Sequence, residues 1–192
     1  DVYKRPGKSF VVAREGKDGR GRAVVLATEE PVANRLLGID EPSRKWNAVD
    51  CLYFSLPEKE IPTKTPILHL DGSGAGPINN LTFLSTLSDC APQGRALASA
   101  SVIGKKELQI YQLVAMANQQ LKLWFGEKTK KWDFLRAYRI RNAVPSCDVV
   151  PDLKIKKNGI YRCGDYLGLP SIDSAMRSGR LAAESIIASY QE

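Results

Sequence analysis

The residues best suited to chemistry lie near the C-terminus, where an apolar run, a glycine and a helix follow one another. Ile160, Tyr161 and Cys163 form the apolar run, and Gly164 ends it as a buried strand ends at a loop. The spacing that follows predicts a helix from about Ile172. Because the first N–H groups of a helix have no partner within it, they bind electron-rich ligands. A flat or anionic molecule could sit at this point.

The helix is predicted from small and apolar residues that recur at steps of three and four. Ser171 is a natural N-cap after Pro170, and Asp173 places negative charge in the first turn. Small residues let another surface approach closely, whether that surface is a ligand or the sheet of an ordinary α/β domain. The predicted buried face comprises Ile172, Ala175, Met176, Gly179, Ala182, Ala183, Ile186, Ile187 and Tyr190.

This segment carries a family resemblance. It reads Cys-Gly-Asp at 163–165 and, after a short loop, Ser-Ile-Asp-Ser-Ala-Met-Arg-Ser-Gly-Arg-Leu-Ala-Ala-Glu at 171–184. It resembles the C-terminal flavin-binding motif of the flavin-containing amine oxidase and phytoene desaturase superfamily. That family commonly has Asn or Glu-Gly where Asp173 and Ser174 stand here. The resemblance therefore supports a role for the backbone of Asp173 and not for its carboxylate.

The resemblance implies FAD as the cofactor and implies which residues hold it. Gly164 and Asp165 would hold the ribityl chain, with the Asp165 carboxylate accepting hydrogen bonds from the ribityl hydroxyl groups. The backbone N–H groups of Ser171, Ile172 and Asp173 would face flavin O2 and N1, where negative charge gathers on reduction. No residue is assigned as an acid, base or nucleophile, so the catalytic residues are left unknown.

The rest of the chain predicts mixed α and β structure. Near the N-terminus, apolar strands at 10–13 and 23–27 flank a glycine-rich turn at 16–21, and a short helix at 32–37 ends at Gly38. Residues 46–103 predict a meander of about four mostly antiparallel strands. A helix at 106–125 follows, with Gly126 as its stop and an inner side formed by Leu108, Tyr111, Val114, Ala115 and Leu121.

Two further patterns invite a functional interpretation. Gly72, Gly74 and Gly76 lack the G-x-G-x-x-G spacing of a dinucleotide fingerprint, and Pro77 precedes another strand, so they predict a hairpin turn. Alternation in the predicted strand at 132–144 places two arginines, Arg139 and Arg141, on one face. They are interpreted as solvent-facing in preference to binding an acidic substrate.

Composition excludes several classes of protein. The 192 residues are 43% hydrophobic and 26% charged, as in a soluble globular protein, and contain no apolar run long enough to span a membrane. A formal net charge of +7 comes from lysines spread through loops without a nucleic-acid motif. His69 is the only histidine and the four cysteines lack C-x-x-C spacing, which argues against a metal site and against Ser-His or Cys-His catalysis. A reducing compartment is expected.

Together these observations predict an α/β (mixed α+β) fold: the C-terminal part of an FAD-binding Rossmann-like domain with an inserted β-rich substrate domain. The expected boundaries are 1–40 for an FAD-domain strand and helix, 41–130 for the substrate-binding region and 131–192 for the closing FAD segment. The strand, G-x-G-x-x-G turn and helix that would bind the ADP half of FAD are expected upstream. The chain is therefore interpreted as a fragment or a processed product.

Function follows from the resemblance. It implies the C-terminal part of an FAD-dependent oxidoreductase that takes a hydride from a C–N or C–C bond of a small molecule, an amine or a polyene. The alternative is a non-catalytic module, a truncated paralogue without the ADP-binding half of the FAD site. Oligomeric state and electron acceptor are left open. The plant- and cyanobacterium-like appearance of the strand region favours a plastid (chloroplast) location, with the cytoplasm as the other expectation.

Overall fold

The computed structural model describes residues 2–4, 10–14, 17–39, 45–104, 107–146, 156–157 and 159–190. The chain divides into two compact units, one formed by residues 1–45 and 144–192 and the other by residues 46–143. Within the described ranges, no helix combines the length and the apolar character that crossing a membrane requires.

Short strands dominate the first unit and long ones the second. The α-helices are α1 (Glu30–Leu36), α2 (Ile110–Phe125) and α3 (Ile172–Ala188). The strands are β1 (Val2–Lys4), β2 (Phe10–Arg14), β3 (Lys17–Gly21), β4 (Val25–Leu26), β5 (Trp46–Pro57), β6 (Leu68–Leu70), β7 (Ile78–Phe83), β8 (Arg95–Ile103), β9 (Asp133–Pro145), β10 (Lys156–Lys157) and β11 (Ile160–Arg162).

The unit 46–143 is built on a five-stranded sheet in the order β6-β7-β8-β5-β9. The pairs β6/β7, β7/β8 and β5/β8 are antiparallel, as predicted, but the meander runs only from β6 to β8, because β5 pairs with β8 and not with β6. The glycine segment 72–76 joins β6 to β7 as the predicted hairpin connection. Alternate residues of β5 and β8 are buried, so one face of the sheet forms the core, which contains Leu52, Phe54, Leu56, Ile78, Leu81, Phe83, Ala96, Ala98, Ala100 and Val102.

Helix α2 completes this core with a face that matches the predicted one only in part, since Leu121 is buried and Val114 packs against the core. The helix begins at Ile110, after a reciprocal capping box between Gln109 and Gln112, and ends at Gly126, whose φ of 75° suits a glycine. Leu113, Ala117 and Leu121 are buried, whereas the predicted Tyr111 is 73% exposed and Ala115 is exposed as well. The row Leu113, Ala117 and Leu121, spaced four residues apart, faces the sheet. Apolar side chains also occur on other sides of this helix, so apolar spacing alone does not identify the buried row.

A buried glutamine fixes α2 to the sheet. The Gln120 Oε1 atom accepts a hydrogen bond from the Ile78 N–H at 2.7 Å, and its Nε2 atom donates to the Ile78 carbonyl at 3.0 Å. Nε2 also lies 3.2 Å from Oδ2 of Asp71. A Cβ atom at Gly76 would overlap the Gln120 side chain, so a larger residue there would displace this glutamine from its hydrogen bonds. A polar residue therefore occupies a core position that hydrophobic periodicity does not find.

The prediction that Arg139 faces solvent is wrong. Its Nε atom donates to Asp50 Oδ1 at 2.8 Å and its Nη2 atom to Asp50 Oδ2 at 3.1 Å, and Nη2 also donates to the Leu108 carbonyl. The Asp50 side chain is only 5% exposed. A buried carboxylate requires a paired cation, and the planar guanidinium supplies two hydrogen bonds at once. Arg141 is exposed as predicted.

In the part of the unit 1–45 with 144–192 that the structure describes, the strands form two small sheets. Strand β11 runs parallel to β4 and antiparallel to β10, in the order β10-β11-β4. The other sheet has the order β1-β2-β3. The predicted turn at 16–21 is wrong, since β3 occupies 17–21 and pairs antiparallel with β2. The predicted strands at 10–13 and 23–27 correspond to β2 and β4, which lie in different sheets and have β3 between them in the chain. Helix α1 ends before Gly38, as predicted.

Helix α3 begins where the sequence predicts, with Ser171 as its N-cap. The predicted buried face is correct for Ala182 and wrong for several larger residues: Ile172 is 82% exposed, Met176 71% and Ile187 59%. Ser178 is buried in their place, with 3% exposure. Ala175, Gly179 and Ile186 of the predicted face are partly buried. The predicted face therefore includes the inward side of the helix but extends too far around it.

Candidate functional site

The first candidate site follows a pair of parallel strands. The Tyr161 N–H donates to the Val24 carbonyl at 2.9 Å and the Cys163 N–H to the Leu26 carbonyl at 3.0 Å, which carries the β11/β4 pairing to the last residue before the loop. Gly164 and Asp165 come directly after this point. In open α/β sheets, ligands bind at the carboxyl ends of parallel strands. The sequence-predicted residues therefore lie at the position where such a site is expected.

The Ser178 hydroxyl joins the strand end to α3. It accepts a hydrogen bond from the Gly164 N–H at 2.9 Å, and its own proton has two acceptors in reach, the Gly164 carbonyl at 3.0 Å and the Ala175 carbonyl at 2.9 Å. Both polar backbone groups of Gly164 are thus served by one buried side chain. Ser178 belongs to the Ser-Gly-Arg string noted in the sequence, but nothing in its spacing marked it as a contact to the loop.

Close packing explains why position 164 is a glycine. A Cβ atom there would overlap the ring of Tyr166, which is 1% exposed. Tyr166 lies in the 3-10 turn Asp165–Leu167. Burial raises the pKa of Tyr166 to about 12, against a smaller lowering by the charge of Arg162. The phenol is therefore neutral at physiological pH. From the sequence alone, Tyr166 was not identified as part of this site.

Asp165 begins this 3-10 turn and is half-buried. Its carbonyl accepts a hydrogen bond from the Gly168 N–H at 3.1 Å, which closes the turn. Its carboxylate has no hydrogen-bond or ion-pair partner among the residues that the structure describes. A half-buried carboxylate with free lone pairs is an acceptor for hydroxyl groups.

The start of α3 supplies donors next to this acceptor. The Ser171 hydroxyl accepts from the Ser174 N–H at 3.1 Å and donates to the Leu169 carbonyl at 3.1 Å, so its side chain serves the helix itself. The N–H groups of Ile172 and Asp173 have no acceptor within the described ranges. The Asp173 side chain is exposed. The loop passes close to the first turn of α3 at Gly168, where an added Cβ atom would lie only 2.8 Å from Ser174 Oγ.

The arrangement as a whole places an acceptor and donors on one short segment. Asp165 offers a carboxylate, and the first turn of α3 offers two N–H groups together with the positive end of the helix dipole. Leu169 is 71% exposed and Ile172 82%, so apolar side chains flank these donors. The segment can therefore bind a molecule that carries hydroxyl groups, an electron-rich edge and a flat apolar surface.

A second candidate site lies in the unit 46–143, on the sheet face opposite α2. It is a groove of about 590 Å³ lined by Cys51, Tyr53, Leu97, Leu135, Arg136, Tyr138 and Ile140. The rings of Tyr53 and Tyr138 meet edge to face with centroids 5.8 Å apart. Sequence reasoning missed this groove, since the alternation in β5 predicts a strand but does not say which of its two faces stays open.

Solved structures share this fold. An oxidoreductase from Methanosarcina mazei matches 95% of this chain and 47% of its own, with a TM-score of 0.69 and 14% identity. Putrescine oxidase bound to putrescine matches 97% and 47%, with a TM-score of 0.59 and 16% identity. The halogenase PltM in complex with phloroglucinol and FAD matches 100% and 42%, with a TM-score of 0.57 and 14% identity. No protein-family model and no curated protein matches the sequence.

These matches establish the fold. The chain has the fold of part of an FAD-binding oxidoreductase, with mixed helices and sheets, as the sequence predicted. This fold agrees with the one that the resemblance of the C-terminal motif implied. The chain spans slightly less than half the length of the structures it matches.

Proposed function

We propose that this chain is part of an FAD-dependent oxidoreductase and that its C-terminal segment holds the flavin half of the cofactor. The observation that carries the proposal is the strand end itself, where the free carboxylate of Asp165 and the free N–H groups of Ile172 and Asp173 lie on one loop and helix start. The fold shared with FAD-binding oxidoreductases supports the same conclusion.

The chemical groups present fit this cofactor. A ribityl chain presents hydroxyl donors, which the Asp165 carboxylate can accept, and the pyrimidine edge of a flavin presents oxygen and nitrogen acceptors, which suit the first-turn N–H groups of α3. Gly164 would lie beside the ribityl chain at the end of the strand, and Ser178 holds the Gly164 backbone in position. The Ser171 side chain would support the helix start and leave ligand contact to its backbone.

FAD bound there would accept a hydride from a C–N or C–C bond of a small-molecule substrate. The chain's own contribution is orientation and electrostatics. The positive end of the α3 dipole would stabilise negative charge at the pyrimidine edge, whereas the Asp173 carboxylate would oppose it. Asp173 is therefore assigned a backbone role only. No side chain of the described residues is given the role of acid or base.

Flavin binding by the purified chain tests the proposal. FAD fluorescence is titrated with the chain, and riboflavin is added as a competitor, because the proposed contacts lie on the part of the cofactor that the two molecules share. Saturable quenching that riboflavin reverses is expected. The same mixture after gel filtration should show a flavin absorption band in the protein fraction.

Two variants make the assignment specific. Asp165→Ala should weaken flavin binding by about 1–3 kcal/mol, the usual cost of leaving a buried polar group unpaired. Asp89→Ala, which alters an exposed loop in the other unit, is the matched control and should leave binding unchanged. Equal binding by the wild type and Asp165→Ala, at equal folded fraction, would remove Asp165 from the site.

A second candidate function is a non-catalytic binding module. Exposure of Leu169, Ile172 and Met176 at one end of α3 favours it, since exposed apolar clusters mark contact surfaces for other proteins. Flavin titration separates the two candidates. A chain that binds no flavin but self-associates or captures a partner through Met176 would support the module.

A further inference from the structure

The groove on the open face of the five-stranded sheet has a defined chemistry. Its lining is mostly aromatic and aliphatic and includes Tyr53, Tyr138, Leu97, Leu135 and Ile140. The two tyrosine rings pack edge to face, so two aromatic side chains in contact form part of the groove wall. A flat apolar ring is the shape that such walls bind best.

A chain of polar groups runs along the strands at this face. The Cys51 thiol lies 3.3 Å from the Ser99 hydroxyl, and Ser99 stands directly opposite Tyr53 in the β5/β8 register. A hydrogen bond with the Cys51 thiol raises the pKa of Tyr53, so the phenol stays protonated. A protonated phenol and a thiol provide donors for a ligand that carries an acceptor.

Charge at the groove has one sign. Arg136 lies over the Tyr138 ring, 5.2 Å from its centroid, and forms no ion pair with the described residues. No aspartate or glutamate is among the described residues that line the groove. Two carboxylates carried by the same strands are already paired, Asp50 with Arg139 and Asp133 with Arg95. The groove therefore attracts an anion and offers no carboxylate to an ammonium group.

We propose that this groove is the substrate site of the oxidoreductase and that it takes a small aromatic molecule bearing an anionic group, such as a carboxylate. The role as a substrate site rests on the proposed function; the preference for an aromatic anion rests on the groove alone. An amine substrate, one of the two classes that the family resemblance implies, fits poorly because its cation would meet Arg136 and no carboxylate.

The test uses two probes that share one ring and differ in charge. Naphthalene-2-carboxylate and 2-naphthylmethylammonium are titrated into the full chain without flavin, with binding followed by calorimetry and by NMR of ¹³C-labelled tyrosine rings. The signals of Tyr53 and Tyr138 are assigned with Tyr→Phe variants. The carboxylate is expected to bind roughly three- to tenfold more tightly, because one exposed charge contributes attraction for the anion and repulsion for the cation.

Two arginine variants locate the effect. Arg136→Gln should abolish the difference between the probes, whereas Arg141→Gln, an exposed arginine of the same strand outside the groove lining, should preserve it. Equal or tighter binding of the ammonium probe would overturn the proposal, as would a preference that survives Arg136→Gln or binding that leaves the Tyr53 signal unmoved. Since no flavin is present, these outcomes are independent of FAD binding at Asp165.

Discussion

The two long helices of this protein differ in what holds them. Helix α2 buries Leu113, Ala117 and Leu121 against a sheet, each at most 1% exposed. Helix α3 is of similar length, yet it leaves Ile172 and Met176 open and is fastened through hydroxyl groups. One helix completes a core within the described residues, and the other presents apolar and polar surface at the proposed flavin site. Stability and function are thus expected to reside on different helices.

The largest expected effect lies in the core that α2 completes. Phe54 lies on β5, is fully buried in this core and packs edge to face with Phe134. Phe54→Ala should lower the free energy of unfolding by about 3–5 kcal/mol, the range for deleting a buried aromatic ring. A change at an exposed position of α3, Met176→Ala, should alter it by at most about 0.5 kcal/mol. Urea denaturation measures both; comparable losses would mean that Met176 is packed as tightly as the core residue Phe54.

Next in size is the loss of the Ser178 hydroxyl. Ser178→Ala leaves the Gly164 N–H without its acceptor in a buried setting and should cost about 1–3 kcal/mol. Hydrogen exchange at the Gly164 amide should accelerate, while β8 keeps its protection. Ser185→Ala, an exposed serine of the same helix, is the control. Unchanged exchange at Gly164 would show that the strand end does not depend on α3.

A smaller effect, of opposite sign, is expected at Gly179. A Cβ atom there would meet nothing within 4 Å. Gly179→Ala should therefore stabilise α3 by about 0.5–1 kcal/mol, because glycine costs backbone entropy in a helix interior. A thermal melt of the flavin-free chain measures the gain. A lower melting temperature would mean that another part of the protein already lies against this side of the helix.

The smallest effect is a pH dependence in the unit 46–143. Burial lowers the pKa of His69, whose ring lies edge-on to Phe83 and Phe125. Since the unfolded chain takes up the proton first, near pH 6.5, the stability contribution of neutral His69 is present above that pH. It is lost as the pH falls from about 6.5 toward the folded pKa. Denaturation from pH 7.5 to 5.5 should show this slope, and His69→Gln should remove it.

Local signals made parts of the fold predictable from sequence. Gly38 and Gly126 mark helix ends through backbone conformations that glycine favours, and Ser171 marks a helix start through its side chain. These signals depend on near neighbours in the chain. The antiparallel strands between 46 and 103 could also be predicted from sequence, because the alternation of apolar and polar residues in β5 and β8 reflects one buried face.

What sequence reasoning missed depends on contacts between distant residues. The polar groups Gln120 and Ser178 are buried because their partners, Ile78 and Gly164, lie far away in the chain, so apolar periodicity passes over them. Arg139 was assigned to solvent because its partner Asp50 is on another strand. At the candidate flavin site the residues come from one continuous segment, which is why a motif could suggest them, whereas the groove is assembled from three strands.

The interlock between Gly76 and Gln120 has an evolutionary consequence. Because the amide of Gln120 occupies the volume that a side chain at position 76 would need, the two positions cannot change independently. Lineages that acquire a bulkier residue at 76 should carry a shorter one at 120 and a new partner for the Ile78 backbone. Reversal of either change alone should then be disfavoured, so substitutions at these two positions should be coupled during divergence.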